Sequence, residues 1–487
     1  MSLSAYPSAH QPARDEPDRP PRVAVIGGGV AGLAAAYYLQ RSDTPLDVEL
    51  FEARGRLGGV LQTTMRDGYL IESSADCFLA TETAPWAREL VTDLGFEDQI
   101  VSPGETNRRA LLLRRGQLAP VPGGFRLMGA ASMSDVWRST VLSWPAKLRL
   151  AAERFVGKRQ DGKDESLAEF ATRRVGREVY QRIVQPLVSG IYAADPERLS
   201  VRAALPQFTT MEQRFGSLTK GLSAGQNEAS HEVAGVRYSM FVAPRDGMTD
   251  LIQRLGSSLD RCQIHVGRAV ENIRSLDGRG WEVKSEGQTQ PQCFDGVVLA
   301  TDATIAARLT HGLSRQLASV LREIEHAGIV VISCGIRRDL VDHPLDAFGF
   351  VVPMIEQRKI LATSFSSVKF SGRAPLGQVL LRTFVGGACQ EALVDWSDDE
   401  LKQVIRDELG EILGMRGEPS IWSIQRWPRT TPQYTIGHQD RIKRIRHFAA
   451  GLVGFELAGN FLDGIGVPQC IREGKDAARR LIDLFAT

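Results

Sequence analysis

The sequence predicts a mixed α/β and α+β protein, in which a discontinuous Rossmann-like domain adjoins an antiparallel-sheet domain and a helical domain. Three observations predict this fold. A strand-like run ends in a glycine loop that opens a helix-like run, strand-and-turn patterns resume after residue 236, and apolar alternation fills much of the later chain. We expect residues 1–20 as a disordered tail, 21–98, 236–303 and 437–487 as the dinucleotide-binding domain, 99–119, 209–235 and 304–436 as the substrate-binding domain, and 120–208 as the helical domain.

The glycine loop has the spacing of a dinucleotide-binding site. Gly27 allows the tight turn from strand to helix, Gly29 leaves room for a pyrophosphate, and Gly32 lets the helix pack closely on the sheet. The phosphates would lie at the helix N-terminus, where free amides favour negative charge. The predicted cofactor contacts in this loop are Gly27, Gly28, Gly29, Val30, Ala31 and Gly32.

An acidic residue closes the next apolar run. Glu52 lies twenty positions after Gly32, where a carboxylate can accept both ribose hydroxyls and would repel a 2′-phosphate. FAD or NAD therefore fits, and NADP does not. An arginine pair interleaved with glycines follows directly, and it is similar to the second phosphate contact of FAD-binding flavoproteins. A simple turn before a packed helix, the alternative, would not need it. The predicted contacts here are Glu52, Ala53, Arg56, Gly58 and Gly59.

The composition limits the classes of partner. The 487 residues carry a formal charge of +1, which gives no indication of nucleic-acid binding. The six cysteines and eight histidines show no metal-ligand spacing, so we predict no metal site. We predict a cytoplasmic protein for three reasons: the cysteines are expected to be free thiols, the N-terminus lacks the apolar core of a signal peptide, and no apolar run is long enough to span a membrane. Whether it is a monomer or a homodimer stays open.

The helical domain has an amphipathic stretch with two interpretations. Ser166 and Glu169 form a capping box that starts a helix. Before it, apolar residues between 127 and 144 are bracketed by Arg126, Arg138 and Lys147. They either touch lipid, on the inner face of a membrane, or pack inward.

Apolar alternation predicts the sheet of the substrate-binding domain. The runs Ile329–Cys334, Phe348–Val352 and Val379–Val385 are typical of antiparallel strands, and we interpret their sheet as the floor of a substrate cavity. The final segment, 451–467, again has a strand, a glycine turn and a helix start. It returns the chain to the cofactor.

These motifs together resemble the flavin amine oxidase superfamily, and most closely the oxygen-dependent protoporphyrinogen and coproporphyrinogen III oxidases of haem biosynthesis. The resemblance covers nearly the whole chain after the tail. Two stretches narrow it to that family: 361–375 with Phe384–Gly387, and the ending Ala458–Ile471.

The resemblance implies further cofactor contacts for a non-covalently bound FAD. It assigns the backbone of Val270 to the adenine and the segment 68–75 to the side of the isoalloxazine ring. Ser74 and Ala75 depart from the Gly-Pro pair usual there. The C-terminal contacts that it implies are Gly459, Asn460, Ile465, Gly466 and Val467.

The resemblance also implies a porphyrinogen substrate. Arg108 or Arg109 would pair with a propionate, for which a guanidinium suits because it binds carboxylates bidentately. A solvated basic loop is the alternative. Val351, Phe365 and Phe384 are the candidate apolar walls, although core residues would show the same pattern.

The chemistry that the resemblance implies belongs to the flavin, so no catalytic side chain is predicted. A porphyrinogen would lose six electrons, and dioxygen would take them to give hydrogen peroxide. An amine oxidase or a carotenoid-type desaturase is the alternative enzyme. A lipid-carrier chaperone of small GTPases is the alternative outside enzymes, but such a protein should lack an intact phosphate loop.

Overall fold

The computed structural model describes residues 19–82, 84–228, 240–277 and 280–486. Residues 1–18 of the expected tail and residues 229–235 of the expected substrate-binding domain lie outside these ranges.

A five-stranded parallel sheet forms the centre of the dinucleotide-binding domain. The two central strands, Arg22–Ile26 and Gly296–Leu299, are buried on both faces, which explains their apolar runs, whereas the edge strand Cys262–Val266 is partly exposed. The order of the strands places three distant parts of the chain side by side. In spatial order they are Cys262–Val266, Asp47–Glu52, Arg22–Ile26, Gly296–Leu299 and Phe455–Leu457.

Four helices cover one face of this sheet. The first and the last of them follow the carboxyl ends of parallel strands, so both begin at the same edge. They cross closely at Gly474, where a Cβ would stand 2.2 Å from the carbonyl oxygen of Ala31. The four helices are Val30–Gln40, Trp86–Asp93, Met248–Ser257 and Val467–Phe485.

The opposite face carries an antiparallel three-stranded unit and three helices. The expected boundary at residue 304 is wrong, because Leu309 and Leu321 pack into the apolar cluster that contains Val297 and Leu299 of the parallel sheet. The chain up to Ile324 therefore belongs to the dinucleotide-binding domain. The elements of this face are the strands Val270–Ser275, Trp281–Ser285 and Gln292–Phe294 and the helices Ala303–Thr310, Arg315–Arg322 and His438–Ala450.

A seven-stranded sheet, called the large sheet below, forms the substrate-binding domain and contains all three predicted strands. Its pairs are antiparallel except Gly349–Val351 with Leu111–Arg114, which is parallel. The helix Asp398–Leu413 covers its outer face. In spatial order the strands are Ile421–Pro432, His326–Arg337, Gln378–Gly386, Ala362–Phe365, Gly349–Val351, Leu111–Arg114 and Gln117–Pro120.

The helical domain is larger than expected at its C-terminal side. Phe208, Leu218 and Leu222 are buried in its core, so residues 209–228, expected in the substrate-binding domain, belong here. The predicted capping box is present at Ser166. The helices are Ser134–Arg138, Trp144–Ala151, Leu167–Val175, Arg177–Val179, Gln185–Tyr192, Val201–Ala204, Pro206–Phe215 and Leu218–Glu228, with a π turn at Tyr180–Val184.

The amphipathic stretch of the helical domain divides between its two interpretations. Val136 and Leu142 are buried in the core. Trp144, which ends the predicted stretch, is instead 65% exposed. Leu148 and Phe155, which follow that stretch, are 62% and 77% exposed. None of the helices in the described part of the chain combines the length and the apolar character needed to cross a bilayer.

Small β units join the domains. The hairpin Thr63–Arg66 with Tyr69–Glu72 extends from the dinucleotide-binding domain to the inner face of the large sheet, where a Cβ on Gly335 would stand 2.4 Å from the ring of Tyr69. The other units are Phe78–Leu79, Phe241–Pro244 and Ile100–Val101 in one sheet, and Phe125–Arg126 with Gly129–Ala130 in another.

Candidate active site

The glycine loop has two positions that need glycine for packing and one that borders open space. Gly27 has a φ of +111°, and a Cβ there would stand 2.4 Å from the carbonyl oxygen of Ala300. A Cβ on Gly32 would stand 1.9 Å from the carbonyl oxygen of Gly27. A Cβ on Gly29 would meet no atom within 4 Å. The space beside Gly29 can therefore admit a phosphate.

The helix after this loop presents free backbone donors to that space. It begins at Val30, and Gly29 provides no side-chain cap. The first amide bonded back to the loop is that of Leu33, which donates to the carbonyl oxygen of Gly29 at 2.9 Å. The amides of Val30, Ala31 and Gly32 precede it and have no helical partner, so they can bind an anion.

Glu52 connects three parts of the site. Its Oε2 accepts from the amide of Gly28 at 2.6 Å, and its Oε1 accepts from the amide of Arg54 at 2.7 Å. Its carbonyl oxygen accepts from the amide of Arg268 at 2.8 Å, two residues before Val270. The structure thus brings together the glycine loop, the acidic residue and the strand predicted to meet the adenine.

Arg56 holds the second glycine loop in place. Its guanidinium donates to the carbonyl oxygens of Leu57, Gly59 and Leu61 at 2.8–3.2 Å. A Cβ on Gly59 would stand 3.2 Å from the Cα of Gly29, so the two glycine loops are in contact. The contact of Arg56 with a phosphate stays a prediction.

Tyr434 and His438 hold the C-terminal glycine segment, which leads to the helix starting at Val467. The Tyr434 hydroxyl donates to the carbonyl oxygen of Asn460 and accepts from the amide of Gly464 at 2.8 Å. The ring of His438 stacks on Tyr434 with centroids 4.0 Å apart, and its Nε2 lies 3.0 Å from the carbonyl oxygen of Leu462. Burial lowers the pKa of His438 to about 4, so the ring is neutral and Nε2 carries the proton. Sequence analysis missed both residues, because no spacing links them to the segment they hold.

The segment Ser73–Cys77 lies between the two sheets. The indole Nε1 of Trp427, on the large sheet, donates to the carbonyl oxygen of Ser73 at 2.7 Å. The hydroxyl of Ser74 is buried and has no hydrogen-bond partner among the described residues. This segment includes the end of the stretch predicted to lie beside the isoalloxazine ring.

The inner face of the large sheet has an apolar row of side chains. Pairing places Ala362 opposite Phe384 and Val351 opposite Ala362. Val331 lies opposite Phe384 on its other side, so the four side chains share one face. The predicted walls Val351 and Phe384 therefore lie on one surface, on either side of Ala362.

The prediction that Phe365 forms a wall of the same cavity is wrong. It is fully buried and pairs with Leu381, and its ring centroid lies 6.1 Å from that of Phe350 on the outer face of the sheet. Because side chains alternate along a strand, Ser364 faces the inner side instead.

Arg108 and Arg109 lie at the surface beside the edge of the large sheet. The Arg109 guanidinium pairs with Asp346, and its side chain is 47% exposed. Arg108 donates to the carbonyl oxygen of Gly104 at 3.3 Å, and the amide of Gly104 donates to the carbonyl oxygen of Lys369 at 3.1 Å. Both arginines could contact only the solvent-facing end of a ligand on the sheet.

A buried ionic cluster of Asp76, Lys369 and Arg382 was missed by sequence analysis. The Lys369 ammonium lies 3.1 Å from both Asp76 carboxylate oxygens, and an Arg382 nitrogen lies 3.5 Å from one of them. Burial alone would raise the pKa of Asp76, but the two cations hold it below its ordinary value. Burial also raises the pKa of the Cys77 thiol to about 12. The signal available in the sequence was an arginine inside the apolar run Val379–Val385.

The donors and spaces of the site fit FAD. The open space at Gly29 and the free amides after it suit a pyrophosphate, and Glu52 suits a ribose. In the segment Ser73–Cys77, the buried hydroxyl of Ser74 has no partner within the described part of the chain, at the place where the flavin ring is predicted. The helix starting at Val467 also lacks a side-chain cap, so the amides of Val467 and Gln469 are available, while Pro468 has no N–H to donate.

Comparisons with known proteins cover nearly the whole chain. The profile of the family "Flavin containing amine oxidoreductase" matches residues 30–482. A coproporphyrinogen III oxidase of Bacillus subtilis (strain 168) is 32% identical over 467 residues, covering 93% of this chain and 96% of that protein. Protoporphyrinogen oxidase 2 of Arabidopsis thaliana is 30% identical, covering 95% and 94%. The crystal structure of a candidate protoporphyrinogen oxidase from Exiguobacterium sp. 255-15 superposes with a TM-score of 0.83 at 28% identity, covering 95% and 99%.

Proposed function

This chain belongs to the flavin-containing amine oxidoreductase family, and from that membership we propose that it is an FAD-dependent porphyrinogen oxidase of haem biosynthesis. It is an oxidoreductase, and FAD is its cofactor. The observation that carries the substrate class is full-length similarity to proteins named coproporphyrinogen III oxidase and protoporphyrinogen oxidase. The cofactor is held without a covalent bond.

The residues of the chain bind and orient the reactants. The free amides after Gly29 bind the pyrophosphate, Glu52 accepts from the ribose hydroxyls, and the backbone of Val270 meets the adenine. Val351 and Phe384 contact the flat face of the macrocycle. Arg108 and Arg109 bind a propionate at the solvent-facing end. No side chain is required as an acid or a base.

The bound cofactor supplies hydride acceptance from a carbon of the macrocycle. The contribution of the protein is position and the exclusion of water, because the segment Ser73–Cys77 meets the inner face of the large sheet through Trp427 and Arg382, on the same face as the apolar row. Oxidation of a porphyrinogen to a porphyrin releases six electrons and six protons. Dioxygen is the terminal acceptor, and three molecules of it become three of hydrogen peroxide.

The protein meets a membrane surface through its helical domain. Trp144, Leu148 and Phe155 project from one side of the helix Trp144–Ala151 and the turn after it. Arg154 is exposed and its guanidinium lies 4.8 Å from the ring of Phe155, and Lys158 follows as a second exposed cation. Apolar side chains flanked by cations suit an anionic lipid surface. The compartment is the cytoplasm, in keeping with six free cysteines.

The test is a direct assay in air. The FAD-loaded protein is mixed with coproporphyrinogen III or with protoporphyrinogen IX, and porphyrin fluorescence and hydrogen peroxide are followed. We expect both signals from at least one substrate, in a ratio of three peroxides per porphyrin. The apoprotein is the control. No signal from either substrate with a visibly yellow protein would overturn the proposal and direct the search to amines and carotenoids.

A further inference from the structure

The inner face of the large sheet has a polar row beside its apolar row. Two residues further along the strands from Phe384 and Ala362, pairing places Arg382 opposite Ser364. Ser333 lies opposite Arg382 on its other side. Two residues along a strand span about 6.6 Å, so a flat apolar body over Phe384 would bring a short polar substituent to Arg382.

Three ionic groups meet at this row, and the anion is outnumbered. The Asp76 carboxylate faces both the Lys369 ammonium and the Arg382 guanidinium. Their side chains are 13%, 14% and 5% exposed, respectively. Lys369 also lies 3.1 Å from the Cys77 sulfur and 5.2 Å from the ring of Phe370. Neither contact provides a second negative charge.

The neighbouring charged groups leave this surplus in place. Arg373 donates to the carbonyl oxygens of Pro244 and Arg245 at 2.9 and 3.1 Å. The Glu72 carboxylate accepts from the amide of Met248 and from the hydroxyl of Thr63, both at 2.9 Å. Lys369, Arg382 and Arg373 face the carboxylates of Asp76, Glu72 and Asp246. Asp246 is exposed to solvent, and burial raises the pKa of Glu72 to about 7, so the buried part of the group keeps a positive surplus.

Arg382 is poorly satisfied for a buried guanidinium. Its Nε is buried and has no hydrogen-bond partner among the described residues. Its guanidinium lies 4.7 Å from the ring centroid of Phe384 and meets Asp76 at only 3.5 Å. A buried cation with unused donors is costly unless an anion completes it. A carboxylate accepts from such a fork in a bidentate manner.

We propose that Lys369 and Arg382 form an inner carboxylate subsite, which holds a propionate of the substrate while its macrocycle contacts Phe384. This inference rests on the proposed function. It is distinct from the surface contact with Arg108 and Arg109, because Arg382 lies on the inner face of the large sheet and Lys369, at the end of the short helix Ser366–Lys369, meets the same Asp76 carboxylate. Asp76 is a positioning residue that holds the two cations together and limits their charge.

The test uses binding of an oxidised porphyrin to the FAD-loaded protein, so it does not depend on turnover. Coproporphyrin III and its tetramethyl ester are titrated, and binding is followed by porphyrin fluorescence. We expect Arg382→Met and Lys369→Met each to weaken binding of the acid at least about tenfold and to leave binding of the ester unchanged. We expect Asp76→Asn to tighten binding of the acid, because it removes the competing anion. Arg426→Met is the control, since Arg426 lies on the outer face of the same sheet and pairs with Asp398.

The direction of the Asp76→Asn effect distinguishes a carboxylate-binding role of the cluster from a purely structural role. A structural role would weaken binding in all three variants and for both ligands. Unchanged binding of the acid in the Lys and Arg variants, or equal losses of acid and ester, would overturn the inference. Where Arg382→Met loses FAD or folded signal, Lys369→Met decides. A yellow wild-type protein that binds neither coproporphyrin III nor its ester would overturn the proposed function as well as the inner subsite. Failure of the proposed function is thereby distinguished from failure of the subsite alone.

Discussion

At the scale of single residues, we propose that recognition of the cofactor depends on Glu52. Its carboxylate is 7% exposed and accepts from backbone amides of Gly28 and Arg54, so the acceptor is fixed next to the glycine loop. A ribose hydroxyl placed there would find an oriented anion rather than a flexible one. The same position would repel an additional phosphate.

We expect Glu52→Arg to weaken FAD binding by at least about 100-fold, because it replaces a charged acceptor by a cation. The measurement is the visible absorbance retained by the protein after gel filtration, with affinity from titration of the apoprotein. Asp47→Arg is the matched control, because Asp47 begins the same strand and is exposed. A yellow Glu52→Arg protein with unchanged affinity would contradict the assignment.

Arg108 and Arg109 are expected to contribute to substrate affinity rather than to turnover. Both are partly solvated and one is paired with Asp346, so the loss of either charge should raise the KM for a porphyrinogen about three- to tenfold. The turnover number should change less, as for a contact equally strong in ground and transition states. Arg115→Ala, on the exposed neighbouring turn, is the control. An unchanged KM would favour the solvated-loop interpretation.

At the scale of elements, the C-terminal glycine segment depends on a neutral histidine. His438 bonds to the carbonyl oxygen of Leu462 and supports Tyr434, which bonds to the segment at two points. The folded protein favours the neutral ring, so this stabilisation is complete above the ordinary pKa of histidine. It is lost as the pH falls from about 6.5 towards about 4.

We therefore expect the free energy of unfolding to fall by about 2 kcal/mol between pH 7 and pH 5 through His438 alone. His438→Gln can still donate to Leu462 but does not titrate, so its fall with pH should be smaller by that amount. Denaturant unfolding at both pH values measures it. His447→Gln is the control, since His447 lies exposed on the same helix. Equal falls in wild type and His438→Gln would contradict the prediction.

The helix Trp144–Ala151 and the turn after it are expected to bind anionic membranes. Serine at Trp144, Leu148 and Phe155 should reduce binding to phosphatidylglycerol vesicles at least about tenfold, because insertion of each side chain contributes roughly 1.5–3 kcal/mol. Vesicle co-sedimentation measures the loss. Leu376→Ser is the control, since Leu376 is fully exposed on the large-sheet domain. Wild-type protein that stays in the supernatant would exclude membrane contact by this face.

At the scale of the whole molecule, the proposed cofactor site contains three distant parts of the chain. The strands Arg22–Ile26, Gly296–Leu299 and Phe455–Leu457 are neighbours in one parallel sheet. Their carboxyl ends share an edge, and the glycine loop and the C-terminal segment both follow them there. Binding of FAD should therefore stabilise a domain whose parts are far apart in the chain.

We expect the Tm of the apoprotein to rise with FAD by a few degrees, corresponding to about 2.7 kcal/mol at one hundred times the dissociation constant. FMN lacks the adenosine part that Glu52 and Val270 are predicted to hold, so it should give a much smaller shift. Thermal unfolding with graded amounts of each flavin tests this. Equal shifts from FMN and FAD would contradict the assigned adenosine contacts.

The family, the fold class and the cofactor could be predicted from the amino-acid sequence, because these depend on local patterns. The glycine spacing and Glu52 lie within one strand–helix–strand unit, and their chemistry is readable without knowing what packs on them. Apolar alternation likewise identified three of the seven strands of the large sheet. The resemblance of the last glycine segment then led to the correct family.

The sheet face on which each residue lies, the domain to which it belongs and the residues that it contacts became known only from the three-dimensional packing. Phe365 lies on the outer face, because successive side chains of a strand point to opposite faces of the sheet. Cavity-lining residues can therefore be identified only when the register of the strand is known. Residues 209–228 and the helices after 304 were placed by the apolar cores they join. Asp76 meets Lys369 and Arg382 from nearly three hundred residues away, and no local pattern encodes such a pairing. Long-range contacts of this kind arise from packing. The residues next to each partner in the sequence contain no pattern that would predict the contact.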